Sequence, residues 1–542
     1  MSSDQAPASK KFGTFLGVYT PSILTILGLI MYLRFGWVLG NVGLGLTILI
    51  VIVASSITFI TGLSASAIAT NIQVGVGGEY FLVSRSLGLE PGGAIGIPLY
   101  LCRTLSVTFY CFGLAEAILV FWPELPAYSI QVLAAVFIII VTALSGKSAT
   151  LTLKSQIPIM ILVGLSILAL IIGVFSHELR TPEWSPTYRT APEGFWYVFA
   201  VFFPAVTGFT AGIGLSGDLR DPRKSIPLGT IGAVVSGLAI YLLIPVLLSV
   251  SDILSFEQLA DPTAGVSIWT DIALFGSILV IPAVWGAILS SAFGSILGGP
   301  RVLQALSMDG LAPKFLSQLS KTGQPTVATW ISGIIALAAV FLGNLNTVAQ
   351  FVSVLFLTLY IAINLSAAIE TLVAEPSYRP RIKIPWYISM LGALGAIGVM
   401  YLINPLACLL SLGLELLLLF WLFSRSLEQK WGDVVAGFWM LMTRFSLLKL
   451  SQRSIHARNW RPMLLLFVKN LESRMELVKL AEAMGQNHGI LTIVRLITDQ
   501  PDLNSQGSDL LEKEMLQKLK RRGLSAFCEV HKVMDLEEGI LE

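Results

Sequence analysis

A succession of long apolar runs constrains this 542-residue chain more than any other feature. Hydrocarbon offers no water to a backbone N–H or C=O. A chain that crosses it must satisfy those groups within itself, as helices or as a closed barrel. A helical crossing takes about 20 apolar residues. About twelve such runs are present, at about 14–38, 44–69, 93–121, 127–145, 155–176, 194–215, 226–250, 268–297, 326–343, 347–372, 386–404 and 406–424. Charged residues make up 13% of the chain, against roughly a quarter in soluble domains. The sequence therefore predicts an all-α polytopic membrane protein in contact with lipid. The opening MSSDQAPASKKFG is followed by too long an apolar segment to be a cleavable signal peptide. The net charge of +2 gives no reason to expect a nucleic-acid partner.

The loops give an orientation. With the N-terminus inside, the inner segments carry Lys10, Lys11, Arg85, Lys147, Lys154, Arg220, Arg223, Lys224, Arg301, Lys314, Lys321, Arg379, Arg381 and Lys383, and the outer loops carry only Arg180 and Arg189. That asymmetry follows the positive-inside rule and puts both termini in the cytoplasm, at the plasma (inner) membrane. The expected divisions are an N-terminal tail at 1–12, a transporter domain at 13–425, an amphipathic linker at 426–461 and a cytoplasmic α/β domain at 462–542. In that last part MLLLFV (463–468), GILTIVRLI (489–497) and SAFCEVHKV (525–533) read as strands, with helices at about 471–485 and 508–521. No glycine-rich turn follows a strand, so nothing there points to a nucleotide. The domain reads as regulatory or dimerising, or as a passive tail. Cys102, Cys111 and Cys408 lie in apolar runs and Cys528 in the tail, a pattern of neither a disulfide framework nor a zinc site. His177, His456, His488 and His531 all fall outside the spans, and no nucleophile–base pair or metal-ligand cluster appears. Neither an enzyme nor a cofactor is expected.

One apolar run contains FFPAVTGFTAG, Phe202 to Gly212. Proline removes a backbone donor and glycine weakens a helix by about 1 kcal/mol. Such a break is tolerated in a membrane where the freed groups face protein or a watery cavity. The first run, GVYTPSILTILGLIMYLRFGW, has Pro21 near its start and Gly28 near its middle. Spans one and six are thus both interrupted. Two interrupted segments in corresponding positions mark a substrate site between inverted repeats: half-helix N–H groups hold an anion and freed carbonyls hold a cation.

The runs GLSASAIATNIQVGVGGEYFLVSRSLGLEPGGAIG (Gly62 to Gly96), FFPAVTGFTAGIGLSGDLRDPRKSIPLGT (Phe202 to Thr230), SSAFGSILGGPRVLQALSMDG and NWRPMLLLFV closely resemble the cation–chloride cotransporters of the amino acid–polyamine–organocation superfamily. The resemblance covers nearly the whole membrane part and the start of the tail. It implies twelve spans in two inverted five-span repeats, a LeuT-like arrangement with spans one and six broken. It further implies coupled, electroneutral movement of chloride with sodium, potassium or both.

The resemblance also implies sites. Chloride falls to the backbone N–H groups of Gly28, Leu29 and Ile30 in span one and of Gly208, Phe209 and Thr210 in span six, with Tyr360 of span ten completing one site. Potassium falls to Tyr110, Thr207, the Pro204 carbonyl and carbonyls near Thr25 and Ile26. Thr25 stands where the family often has asparagine, a mild change if the carbonyl is the ligand. Sodium falls to Ser290 and Ser291 of span eight with the carbonyls of Leu24, Leu27 and Ala287, an all-oxygen shell suited to a hard cation. Serines also satisfy backbone in membrane helices, and Tyr360 alone reads equally as an interhelical hydrogen bond.

Three features depart from the sodium-coupled pattern. The opening FGTFLGVYTPS is closer to the potassium–chloride members, Leu27 replaces a common tryptophan, and Arg103 stands in span three where the family has a small or amide residue. A mid-membrane arginine is costly unless paired. At i, i+7 it shares a face with Tyr110. It either reaches the ion pathway, raising chloride occupancy or standing in for a cation, or it pairs with a carboxylate or snorkels to a surface. Arg34 and Glu116 are further intramembrane charges and read as a structural pair. An amino-acid or polyamine permease on the same fold is a competing reading, weakened by the single Gly28 where such permeases have a glycine cluster. A third is an ion-responsive sensor acting through the tail. The short tail and the lack of a long N-terminal segment or large outer loop suggest a compact prokaryotic member or a truncated chain. Regulation by N-terminal phosphorylation is therefore not carried over, and a homodimer rests on the resemblance alone.

Overall fold

The structure is a computed structural model. It describes residues 12–540 apart from 73, 123, 127, 146–148, 187–190, 321–322, 374–377, 426–433, 453–461, 486–488, 498–504 and 534–539. Nearly all of the tail at 1–12, both ends of the linker assigned to 426–461, Lys10, Lys11, Lys147, Arg189, Lys321, His456 and His488 thus lie outside the described residues, while the middle of the linker is a helix over Val434–Ser451.

Every predicted run is a helix. Among the described residues ten helices are long and apolar enough to cross a membrane, and two shorter ones, Ser129–Ser145 and Thr326–Leu342, occupy the fourth and ninth positions. Phe35–Asn71 is broken at Gly43 (φ 74°, ψ 172°), and span two follows that break; span three runs over Leu89–Leu119, and seven, ten, eleven and twelve over Pro222–Val250, Leu345–Val373, Trp386–Ile403 and Pro405–Phe423. One boundary moves. The run read as 268–297 is two helices, Gly265–Ile272 and Gly276–Met308, because Phe275 adopts a left-handed φ of 52° that no helix continues through. Span eight is the second of these.

Spans one to four each pack against the span five further on: one on six, two on seven, three on eight and four on nine. This is the pairing that two five-span repeats require. Apolar side chains fill most of the contact, and buried polar links fix the register. Asn364 of span ten donates to Thr61 Oγ1 (2.8 Å) and accepts from Ser64 (2.7 Å) of span two, and Ser64 meets Ser389 of span eleven at 2.9 Å. Such interhelical hydrogen bonds matter in a membrane, where hydrophobicity alone does not choose partners.

Residues Thr443–Glu542 form a separate compact unit. Its strands β1 (Met463–Phe467), β2 (Ile490–Ile497) and β3 (Phe527–Lys532) are parallel in the order β1-β2-β3. Leu464 pairs with Leu491, Leu466 with Ile493, and Ile493 with Cys528. Right-handed crossovers carry the helices Met475–Gly485 and Ser505–Arg521 to one face, where Val478, Ala481, Met515 and Leu519 cover those strand residues.

Candidate functional site

The two interrupted spans meet at their interruptions. Span one runs as a π turn over Phe15–Tyr19, an α-helix over Thr20–Ile26, and a second helix over Leu29–Leu33. Leu27 (φ −80°, ψ 28°) and Gly28 (φ −95°, ψ −125°) leave the helical region between them. The first N–H groups of the second helix, from Gly28 to Ile30, have no carbonyl to bond within it, and none is found elsewhere among the described residues. Span six breaks differently. Phe195–Phe202 is α-helical, Phe203–Phe209 tightens into a 3-10 helix, and Thr210–Ile213 resumes the α form. Its N–H groups are therefore largely engaged in short turns, and that of Thr210 bonds to the Thr207 carbonyl.

Gly208 makes the meeting possible. A Cβ there would stand 2.6 Å from the Ile26 nitrogen and 2.8 Å from the Thr25 carbonyl carbon. The spans touch backbone to backbone. Ser22 ties them again, donating to the Phe209 carbonyl (3.0 Å) and accepting from the Gly212 N–H (3.3 Å). Tyr241 of span seven donates to the Ile26 carbonyl.

A cavity of about 10 Å³ lies at this junction, lined by Thr25, Tyr110, Thr207, Gly208, Thr210 and Ser291 together with Arg103, Ser106 and Phe356. That is room for roughly one water molecule or one small ion. Residues drawn from all three predicted ion sets thus share one cavity. Thr207 donates to the Pro204 carbonyl (2.9 Å) and Ser291 to the Ala287 carbonyl (2.9 Å); each of those oxygens keeps a second lone pair. Around Gly28 three oxygens converge. A Cβ at that residue would lie 3.0 Å from the Leu24 carbonyl, 3.3 Å from that of Thr25 and 3.4 Å from Ser291 Oγ. Leu24, Leu27, Ala287 and Ser290 do not line the cavity, and neither do Ile26, Gly28, Leu29, Ile30, Pro204, Phe209 or Tyr360. Tyr360 stands behind it, its ring 5.5 Å from that of Phe209, and its buried hydroxyl faces that of Thr58.

Arg103 does two of the things its position allowed. It forms a buried ion pair with Glu79, and it lines the cavity, with Nη2 donating to the Thr210 carbonyl at 2.7 Å. It does not snorkel. The sequence reading missed Glu79 although the residue lies inside a quoted run. A buried arginine demands a carboxylate, and few acidic residues occur near the spans. Arg34 and Glu116 pair at 2.8 Å, with Arg34 also donating to Asn346 Oδ1 (2.9 Å). They line a larger cavity of about 760 Å³ between the ends of spans one and three.

A family model described as "Amino acid permease" matches residues 17–466. The chain is 30% identical over 536 residues to Solute carrier family 12 member 2 of Mus musculus, covering 89% of this chain and 44% of that protein. It is 31% identical over 523 residues to Solute carrier family 12 member 9 of Xenopus laevis, covering 87% and 57%. With Solute carrier family 12 member 3 of Pseudopleuronectes americanus the identity is 28% over 589 residues, covering 98% and 57%. The chain spans about half the length of the curated relatives it matches.

Proposed function

The chain belongs to the amino acid permease family, and from that premise we propose that it is a secondary cotransporter that moves chloride with sodium, potassium or both by alternating access. The observation that carries this reading is the cavity where the two interrupted spans meet. Its space suits one dehydrated ion and is far too small for an amino acid. Beside the cavity, outside its lining, the free N–H groups of Gly28, Leu29 and Ile30 offer an anion fixed donors. The hydroxyls of Tyr110, Thr207 and Ser291 and the carbonyls of Leu24, Thr25 and Pro204 offer a cation an oxygen shell. The name solute carrier, borne by the relatives, agrees with transport rather than catalysis. The resemblance of the quoted runs narrows the solute to chloride and alkali cations. Both termini are assigned to the cytoplasm on the loop charges, and a homodimer on the resemblance.

The test is chloride uptake into liposomes holding the purified chain, with sodium and potassium replaced one at a time. Uptake lost without sodium supports the Ser290–Ser291 set, and Ser291→Ala should then cut sodium-driven uptake at least about tenfold through loss of one oxygen ligand. Uptake that needs only potassium assigns the serines a structural role. No chloride uptake in any mixture, with uptake of labelled amino acids, replaces the reading by that of a permease. Tyr360→Phe gives a second check. The change removes one hydroxyl, which faces that of Thr58, so thermal stability should fall by no more than about 1 kcal/mol. The chloride concentration for half-maximal uptake should rise about tenfold if the hydroxyl turns to the anion.

A further inference from the structure

The Arg103–Glu79 pair is only half made. Nη2 meets Oε1, while Arg103 Nε and Glu79 Oε2 are buried with no hydrogen-bond partner on another residue among the described residues. Arg103 is 4% exposed and Glu79 0%. A buried polar atom left unsatisfied costs about 1–3 kcal/mol, more when charged, and a bidentate fork would have removed both costs. The fold instead holds the guanidinium against the ion cavity. Nη2 is fixed on the Thr210 carbonyl of span six, and the side chain runs past small residues. A Cβ at Gly214 would lie 3.6 Å from Nη2, and one at Gly298 3.9 Å from Nε. Glu79 is brought there by Gly78, whose φ of 56° and approach to Gly214, within 2.9 Å of a would-be Cβ, suit only glycine.

We propose that Glu79 and Arg103 form a proton-linked anion site, in which a proton taken from solvent onto the Glu79 carboxylate frees the guanidinium to hold a halide in the cavity. The charges balance. Before, Arg103 and Glu79 cancel; after, Arg103 and the anion cancel, and Glu79 is neutral. Proton and halide therefore enter together with no net charge. This rests on reading the cavity as the chloride path, and adds the proton as a coupling ion.

The surroundings favour such a switch. Glu79 faces Arg103 and Cys102 from span three and Tyr360 from span ten. Asp309, past the end of span eight, is held by Arg85 at 2.9 Å and by Tyr80 at 2.7 Å. Glu370 of span ten lies beside Tyr378. Arg103 is thus the one cation bearing on Glu79 among the described residues. Burial pushes the Glu79 carboxyl up from the ordinary carboxylate range, against the pull of Arg103.

The experiment uses the full chain in detergent, free of sodium and potassium. N-methylglucamine chloride is titrated by calorimetry between about pH 5 and about pH 8, with a pH indicator in weak buffer and gluconate as the control. Chloride should bind with uptake of about one proton, and its affinity should strengthen by up to about tenfold for each unit of acidification. In Glu79→Gln, binding should persist without proton uptake and without pH dependence. Chloride binding in the wild type with constant affinity and no proton uptake would overturn the proposal and leave the cotransporter reading intact. So would failure of chloride to bind here while alkali cations still drive its uptake into liposomes. Absence of chloride uptake under every ion mixture would instead remove the reading on which the proposal rests. The wild-type measurement decides even if Glu79→Gln does not fold.

Discussion

Gly208→Ala should reduce chloride uptake by at least about a hundredfold. The added carbon would meet the Ile26 nitrogen at 2.6 Å, the Thr25 carbonyl carbon at 2.8 Å and Thr25 Cβ at 2.9 Å. The first two are backbone atoms, held in turn by Tyr241 on the Ile26 carbonyl and by Thr25 Oγ1 on the Pro21 carbonyl. No flexible side-chain end is there to yield. Spans one and six must part by close to 1 Å, the scale of misplacement that costs on the order of 10²-fold when groups must converge on one bound species. The strain on folding should be milder, about 1–3 kcal/mol. Uptake at matched protein loading and thermal unfolding in detergent separate the two effects. Gly164 of span five has nothing within 4 Å of a would-be Cβ, so Gly164→Ala should leave both measurements unchanged. Near-normal uptake by Gly208→Ala would mean that the two breaks need not touch for ions to pass.

What could be read from the residues alone follows from how local each signal is. A span announces itself through about 20 consecutive side chains, so the twelve runs were found, with the eighth misplaced where Phe275 turns left-handed. Strands of a buried parallel sheet are continuous apolar runs, and MLLLFV and GILTIVRLI were plain. The breaks of spans one and six were visible as Pro204, Gly208 and Gly28. Their forms were not. Whether a Pro–Gly segment opens, as at Leu27–Gly28, or tightens to a 3-10 helix, as at Phe203–Phe209, depends on what packs against it. The convergence of Thr25, Tyr110, Thr207 and Ser291 on one cavity is a relation among four spans and has no local mark. The Glu79–Arg103 pair joins residues 24 apart through a turn that Gly77 and Gly78 make at positive φ. The arginine is conspicuous in an apolar run, but its carboxylate opens the short helix Glu79–Leu87 between two spans, where an acidic residue in the first turn is ordinary.

Arg103→Met should destabilise the protein by about 3–5 kcal/mol, because it strands a carboxylate that no other cation reaches. Glu79 is fully buried, and removing Arg103 leaves its carboxylate only the residue's own backbone N–H. The loss also frees the Thr210 carbonyl, which Arg103 holds at 2.7 Å. Adding Glu79→Leu should restore most of the stability, since a buried pair replaced by apolar groups is often neutral or better. The cycle of wild type, two single variants and the double variant, read by thermal unfolding in detergent, should therefore show strong coupling of opposite sign to the single losses. Arg85 and Asp309 make the comparison. Their side chains are 18% and 10% exposed, water reaches them, and breaking that pair should cost less. Additive losses for Glu79 and Arg103 would mean that each residue holds the fold through other contacts. A stable double variant serves a further purpose. It keeps Tyr110, Thr207 and Ser291 in place while removing both charges, so its ion dependence isolates what the oxygen shell does alone. Loss of the cation-free, pH-dependent chloride binding in that variant, with alkali-driven uptake retained, would assign the proton-linked site to Glu79 and Arg103 and the cations to the hydroxyls and carbonyls of the two broken spans.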